Sequence, residues 1–597
     1  MPPRVSRLVP ELFPQPRHLV HIDRSARSSV RLVYKHDRGL PQQGYELEVS
    51  PDRATLAAGD EAGRRYGEQA VAQLRDGDGS LPSLHLRDWP DIAVRGYMLD
   101  VSRDRVPTQE TLGRLVEVLA LARFNHLQLY VEHTFAYPGH EAVWRDASGL
   151  SGGDLEWLDR RCAAVGIELA VNQNTFGHME RWLRHDAYRS RAECRDGIDV
   201  GAGKKRPPSV LAPTPENAAF AVELCRAQLG HVRSGRINIG CDETFDLGRG
   251  VSAARAARVG TELVYVEHVA RIMAPLVDEG YSILFWGDML RSHPHLVDHL
   301  PNGDITAVAW TYESPCESDI SLPATVAATL ASLGFDLDAH RGFAINAAPF
   351  AAVDFPFWVA PGTSSWNSLV GRLDNARENI LDAAQNARTL GARGLLLTDW
   401  GDGGHHQPLS VSYPPIAYAG AVSWCADANE RLDLAHVVSR FVTNDPTGTA
   451  GRALVELGSL CRQTGQYVMN GSPLHSALFP QQTNVAVGAL DASRMGDVLD
   501  RLETVEIDLS GASPRSSDGS TMIEELRTAA RLARHGALRL LVQVGAASVS
   551  AAELHADLAW LVERYRADWA RRSRPGGLDD SVAHFAPALA DYAAGTA

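Results

Sequence analysis

The chain has 597 residues, well beyond the ~150 expected of one domain, so two or three units are predicted and a small disulfide-stapled scaffold is excluded. With 45% hydrophobic and 22% charged residues it has the composition of a folded globular protein. Lys and Arg number 58 against 73 Asp and Glu, and the net charge of −15 argues against nucleic acid and against an anionic membrane surface as partners.

The seven cysteines are scattered, with no C-x-x-C pair, and indicate neither a zinc cluster nor a disulfide framework. The N-terminal residues lack the apolar run of a signal peptide, and no stretch of ~18 apolar residues is present. A soluble, cytoplasmic protein is expected.

Residues 1–90 mix short strand-like runs (32–34 and 45–49) with one helical stretch, 61–74, which ends at the turn-forming Asp76-Gly77-Asp78-Gly79. This predicts a small α+β domain. From 91 to 430 short apolar runs alternate with helical segments such as 109–122 and 154–165, the pattern of βα units and a parallel sheet. The runs are 97–101, 126–131, 167–172, 236–240, 282–286, 307–310, then 343–346 or 357–359, and 394–398. Eight strands over that length predict a (β/α)8 TIM barrel, and no G-x-G-x-x-G follows any of them, which removes the main support for a dinucleotide fold. In 431–597 helical periodicity takes over, clearest in Leu554, Leu558, Leu561, Val562, Tyr565 and Trp569 on one face. A helical C-terminal domain is predicted, with 510–520 as its linker-like stretch, and it is a candidate surface for a homodimer.

In such a barrel the site is built at the C-terminal ends of the strands. These read Glu132-His133, then Asn174 to His178, Asp242-Glu243, Trp286-Gly287-Asp288, Trp310-Thr311-Tyr312, and Asp399-Trp400-Gly401-Asp402. Tryptophan faces cover the C–H faces of a sugar ring while carboxylates and amides take its hydroxyls, so the expected partner is a small carbohydrate. Glycoside hydrolysis further needs an acid for the leaving oxygen and a second group for the cationic centre, and Asp242-Glu243 could supply both. Because strand residues alternate faces, the two can share the barrel mouth only where strand gives way to loop.

The segment Asn238-Ile-Gly240-Cys241-Asp242-Glu243 resembles the Asp-Glu motif of the family 20 glycoside hydrolases, the β-N-acetylhexosaminidases. Arg95-Gly96-Tyr-Met-Leu-Asp100-Val-Ser-Arg103 is similar to that family's strand-one motif and Phe176-Gly177-His178 to its Pro-Gly-His. The helix 61–74 followed by Arg87-Asp88-Trp89-Pro90-Asp91 resembles its small leading domain. The resemblance covers roughly residues 30–425. It implies exo-acting, retaining release of terminal β-linked GlcNAc or GalNAc without an enzyme nucleophile: the substrate's acetamido oxygen attacks the anomeric carbon to give an oxazolinium ion, so the family stands outside the two-carboxylate scheme. It further implies Glu243 as general acid then base, Asp242 as the partner of the acetamido N–H, and Arg95 as the ligand of the 3- and 4-hydroxyls.

Where the family has a Tyr after strand seven, this sequence reads 357–367 with none, and Tyr312 is the substitute. Asp402 stands where a longer Glu is usual, and Glu132 or His133 where strand two has an Asp, to pair with His178. Asn174, Asp288, Trp286, Trp310, Trp366 and Trp400 complete the candidate substrate contacts. Two other readings stay open: a sugar-binding protein on a degenerate barrel, and a metal-dependent barrel hydrolase using His405, His406, Asp399 and Asp402. Adjacent histidines cannot readily reach one ion, so no metal and no cofactor is expected.

Overall fold

The computed structural model describes residues 12–28, 31–199, 205–316, 341–480 and 489–596. The leading unit is a five-stranded mixed sheet of β1 (His18–Ser28), β2 (Leu32–His36), β3 (Tyr45–Ser50), β4 (Arg53–Ala58) and β5 (Leu81–Asp88), ordered β1-β5-β3-β4-β2. Helix α1 (Glu61–Leu74) starts at Asp60, whose carboxylate accepts from Gly63 N, and buries Tyr66, Ala70, Val71 and Leu74 against the sheet. Trp424, from the last barrel helix, sits in the same core and donates through Nε1 to Asp88 (2.9 Å), the carboxylate that also pairs with Arg123 (2.9 Å). The small unit is thereby fastened to the underside of the next.

That next unit is a closed barrel of eight parallel strands. They are β6 (Val94–Asp100), β7 (His126–Val131), β8 (Glu168–Gln173), β9 (Arg236–Asn238), β10 (Ser282–Trp286), β11 (Ile305–Trp310), β12 (Phe357–Ala360) and β13 (Gly394–Asp399). Strand alternation sends Met98, Tyr130, Leu284, Val308, Trp358 and Leu396 into the barrel interior. Their neighbours pack outward on the covering helices, among them α2 (Gln109–Leu121), α3 (Gly152–Ala164), α4 (Pro215–Leu229), α5 (Thr261–Asp278), α6 (Phe343–Ala352), α7 (Leu373–Leu390) and α8 (Tyr413–Asn429). Of the two alternatives for strand seven, 357–359 is the strand and 343–346 is the first turn of α6. A short apolar run has no period long enough to tell one from the other.

Helices dominate the remainder: α9 (Thr449–Gln463), α10 (Pro473–Leu478), α11 (Ala492–Gly511), α12 (Gly519–Gln543) and α13 (Ala551–Arg572). The stretch 510–520 is a firmly held corner, not a linker, because the buried Asp518 within it takes Arg114 (2.9 Å), Arg572 (3.1 Å) and the Tyr413 hydroxyl (2.5 Å). Between α9 and α10 the chain turns back over the barrel mouth. No described helix is long and apolar enough to cross a membrane.

Candidate active site

Strand β9 stops at Asn238, and the next residues leave the extended conformation: Gly240, Cys241 and Glu243 all have positive φ (68°, 71° and 49°). This breaks strand alternation and turns both Asp242 and Glu243 into one cavity at the barrel mouth. The strained turn is held from several sides. Asn174 accepts from Cys241 N (3.2 Å) and donates to Asp242 Oδ1 (3.0 Å), and the Tyr265 hydroxyl donates to the Cys241 carbonyl (2.9 Å). Gly177 lies so close that a Cβ there would come within 2.2 Å of the Asp242 carbonyl oxygen. Non-glycine residues in this conformation persist only where the surroundings over-determine them.

His178 joins the two acids: its Nε2 is 3.3 Å from Asp242 Oδ2 and 3.5 Å from Glu243 Oε2. Burial works against a charge on the imidazole, but the Asp242 and Glu243 carboxylates outweigh it and raise its pKa to about 10. Asp242 moves the other way, below the usual carboxylate range, because His178 and the Asn174 amide favour its anion more than burial disfavours it. Burial pushes Glu243 up, helped by the Asp242 charge, while His178 pulls it down. Two neighbouring carboxyls driven apart in this way form an acid and an anion side by side.

Around them the cavity is lined by Trp286, Trp310, Tyr312 and Trp400. Trp310 stacks on Tyr312 (5.2 Å, 22°), and Trp286 and Trp400 meet at 5.8 Å. The indole N–H groups of Trp286 and Trp310 are buried with no hydrogen-bond partner among the described residues, two donors left for a bound molecule. On the far side Arg103 lies between the Tyr130 and Trp400 rings (4.8 and 4.9 Å) and reaches Asp100 (3.0 Å), Glu132 (3.3 Å) and Asp402 (3.8 Å). Burial pushes Glu132 up to about 7 against the pull of Arg103 and His178.

Several expectations are corrected here. Arg95 is at the start of β6, five residues below the strand end, and fully buried. Its guanidinium donates to the carbonyls of Ile92, Ala93 and Arg123, to Gln43 Oε1 and to the Tyr66 hydroxyl, at the base of the barrel. Arg103, past the end of the same strand, occupies the cavity instead. Glu132 faces His178 (4.0 Å from Nδ1), whereas His133, one residue on, turns to the side where Arg181, Arg184 and His185 lie. Asn174 touches Asp242 and not the cavity. Asp288 accepts from Glu243 N (3.3 Å) behind the acid, pushed up to about 7 by burial and by Asp242. Trp366 is a backing residue: its ring meets Tyr312 edge-on (5.2 Å) and its Nε1 donates to Asn470 Oδ1 (2.8 Å). His406 stacks on Phe479 (4.1 Å) against the helical domain, and no described group of three His, Cys, Asp or Glu could hold a metal. Sequence reasoning missed Glu313, Met469 and Asn470 in the cavity lining. For Glu313 the signal was present, one residue beyond the predicted Tyr312.

A model described as glycosyl hydrolase family 20, domain 2, matches residues 7–89, the small leading sheet. Over 335 residues the chain is 26% identical to hexosaminidase D of Bos taurus, covering 54% of this chain and 87% of that protein. The chain resembles glycosyl hydrolase family 20 in its leading sheet and across its barrel. A β-hexosaminidase of Akkermansia muciniphila is 28% identical over 209 residues, 31% of this chain and 42% of that protein, so the match spans under half of that relative. The X-ray structure of Flavobacterium johnsoniae chitobiase has the same fold, with a TM-score of 0.56 at 15% identity over 96% of this chain and 98% of that one. The protein is a glycoside hydrolase, with Asp242 and Glu243 at the mouth of its barrel.

Proposed function

We propose that this enzyme is an exo-acting, retaining β-N-acetylhexosaminidase that removes terminal β-linked GlcNAc or GalNAc from short oligosaccharides or glycoconjugate fragments, with no metal or cofactor. The observation that carries the reading is the pair Asp242 and Glu243, bridged by His178 at the floor of a tryptophan-lined cavity. Glu243, buried and raised, gives its proton to the glycosidic oxygen as that bond breaks. The acetamido oxygen attacks the anomeric carbon from the opposite face, and the Asp242 anion takes the acetamido N–H, offsetting the positive charge of the oxazolinium ring. Glu243, now a carboxylate, removes a proton from the water that opens the ring, which restores the acid and retains the anomeric configuration. Arg103, with Asp402 beside it, is placed for sugar hydroxyls, and Tyr312 for the acetamido carbonyl. The seven cysteines form no disulfide among the described residues, which supports a reducing, cytoplasmic setting.

The test is release of p-nitrophenol from β-GlcNAc and β-GalNAc glycosides whose N-acyl group carries zero to three fluorines. Fluorination weakens the acetamido nucleophile, so kcat/KM should fall steeply and steadily along each series. A flat series would remove the acetamido group from the mechanism, and absence of turnover on both parent glycosides would remove the activity itself.

A further inference from the structure

One wall of the cavity is not made by the barrel. Met469 and Asn470 line it, and both lie on the turn between α9 and α10 in the helical C-terminal region. The turn is latched onto the mouth by a buried polar network. Glu313, past the end of β11, takes Arg372 in a two-pronged pair (3.0 and 3.1 Å) with both side chains only 3% exposed. The same carboxylate accepts from Asn470 N (2.8 Å) and from the Tyr467 hydroxyl (3.2 Å), while Asn367 donates to the Asn470 carbonyl (3.2 Å). Burying a charge pair that anchors a loop costs desolvation, which planar Arg–carboxylate geometry with further hydrogen bonds offsets.

This latch fixes the amide of Asn470. Indole Nε1 is a donor only, so the Asn470 atom 2.8 Å from Trp366 Nε1 must be the carbonyl oxygen. Its Nδ2 is therefore the other terminal atom, and it donates to no described residue. The residue sits at φ 55°, a left-handed conformation that Asn tolerates better than most side chains, so the amide is held by backbone and by indole together.

We infer that Asn470 is a substrate-contacting residue: its Nδ2 donates a hydrogen bond to one oxygen of the terminal sugar, so that the C-terminal helical domain takes part directly in recognition. The inference rests on the proposed hexosaminidase reading and adds to it a contact from outside the barrel. Asn470→Asp tests it, since aspartate keeps the size, the conformation and the acceptor for Trp366 but has no N–H to give. Asn470→Gly, which keeps the backbone conformation and introduces no charge beside Glu313, is the companion.

Wild type and both variants are assayed on p-nitrophenyl β-N-acetylhexosaminides lacking the 3-, 4- or 6-hydroxyl in turn, and on the N-trifluoroacetyl glycoside, whose acyl oxygen is a weaker acceptor. Removing the oxygen that Asn470 contacts should cost wild type roughly tenfold in kcat/KM, and each variant under threefold for that one analogue only. A merely structural loop residue would lower all substrates by one common factor, and that result, or unchanged kcat/KM on every substrate in both variants, would overturn the inference. Failure of the wild type to cleave any of the glycosides would instead strike the hexosaminidase reading.

Discussion

Arg95→Met and Arg103→Met should separate stability from activity along a single strand. Arg95 gives five hydrogen bonds, all to neutral oxygens, and burial without a carboxylate in contact lowers its pKa. Methionine fills the space of the stem but leaves these acceptors behind. The Ala93 carbonyl still takes Gln43 and Asn125, Gln43 Oε1 still takes Asn125, and the Tyr66 hydroxyl can donate elsewhere. The Ile92 and Arg123 carbonyls are left without a donor, and at about 1–3 kcal/mol for each buried orphan the loss is about 2–6 kcal/mol. Urea melts followed by circular dichroism should show a lower midpoint for Arg95→Met, with KM and kcat of the folded variant within about twofold of wild type. Arg103→Met should leave Asp402 in the cavity and the buried Asp100 and Glu132 behind it without their cation and lower kcat/KM at least 100-fold. An Arg95 variant with a raised KM and an unmoved midpoint would refute the placement of Arg95 at the barrel base.

Glu243→Gln should lower kcat/KM by roughly 10²–10⁴-fold on a natural disaccharide and much less on a p-nitrophenyl glycoside, whose leaving group needs little protonation; equal losses on both would contradict the acid role. The acid must be protonated to act, so kcat/KM should fall as pH rises through the elevated pKa of Glu243. Because the His178 cation pulls that pKa down, His178→Gln should move the alkaline limb of the pH profile to higher pH. Gly177→Ala, whose Cβ would meet the Asp242 carbonyl at 2.2 Å, should displace the catalytic turn and cost on the order of 100-fold in kcat. Dialysis against EDTA should leave turnover unchanged, and a chelator-sensitive rate restored by one added metal would contradict the metal-free chemistry.

The barrel was legible because each strand is a run of apolar residues ending in polar ones, a pattern that survives without knowledge of the contacts. The Asp242-Glu243 pair was legible for the same reason, and the need for strand to yield to loop there is met by the positive φ of Gly240, Cys241 and Glu243. Arg95 was misassigned because a motif has no up or down until the strand is laid in the barrel. Arg95 and the last strand residue, Asp100, are five positions apart in sequence and roughly 17 Å apart along the strand. Whether a polar residue faces ligand or braces a neighbour, as Asn174, Asp288 and Trp366 do, depends on side-chain partners from other strands. Asn470 left no local signal at all, since its meaning comes from Glu313, 157 residues earlier.

The latch between Glu313 and the α9–α10 turn also sets the order in which the enzyme becomes competent during synthesis. The last barrel helix ends at Asn429, so the catalytic pair is synthesised well before the turn carrying Met469 and Asn470 that completes its cavity. Without the helical region the acid, the anion and the tryptophans would lie in a trough open on one side, and docking of that region supplies the missing wall.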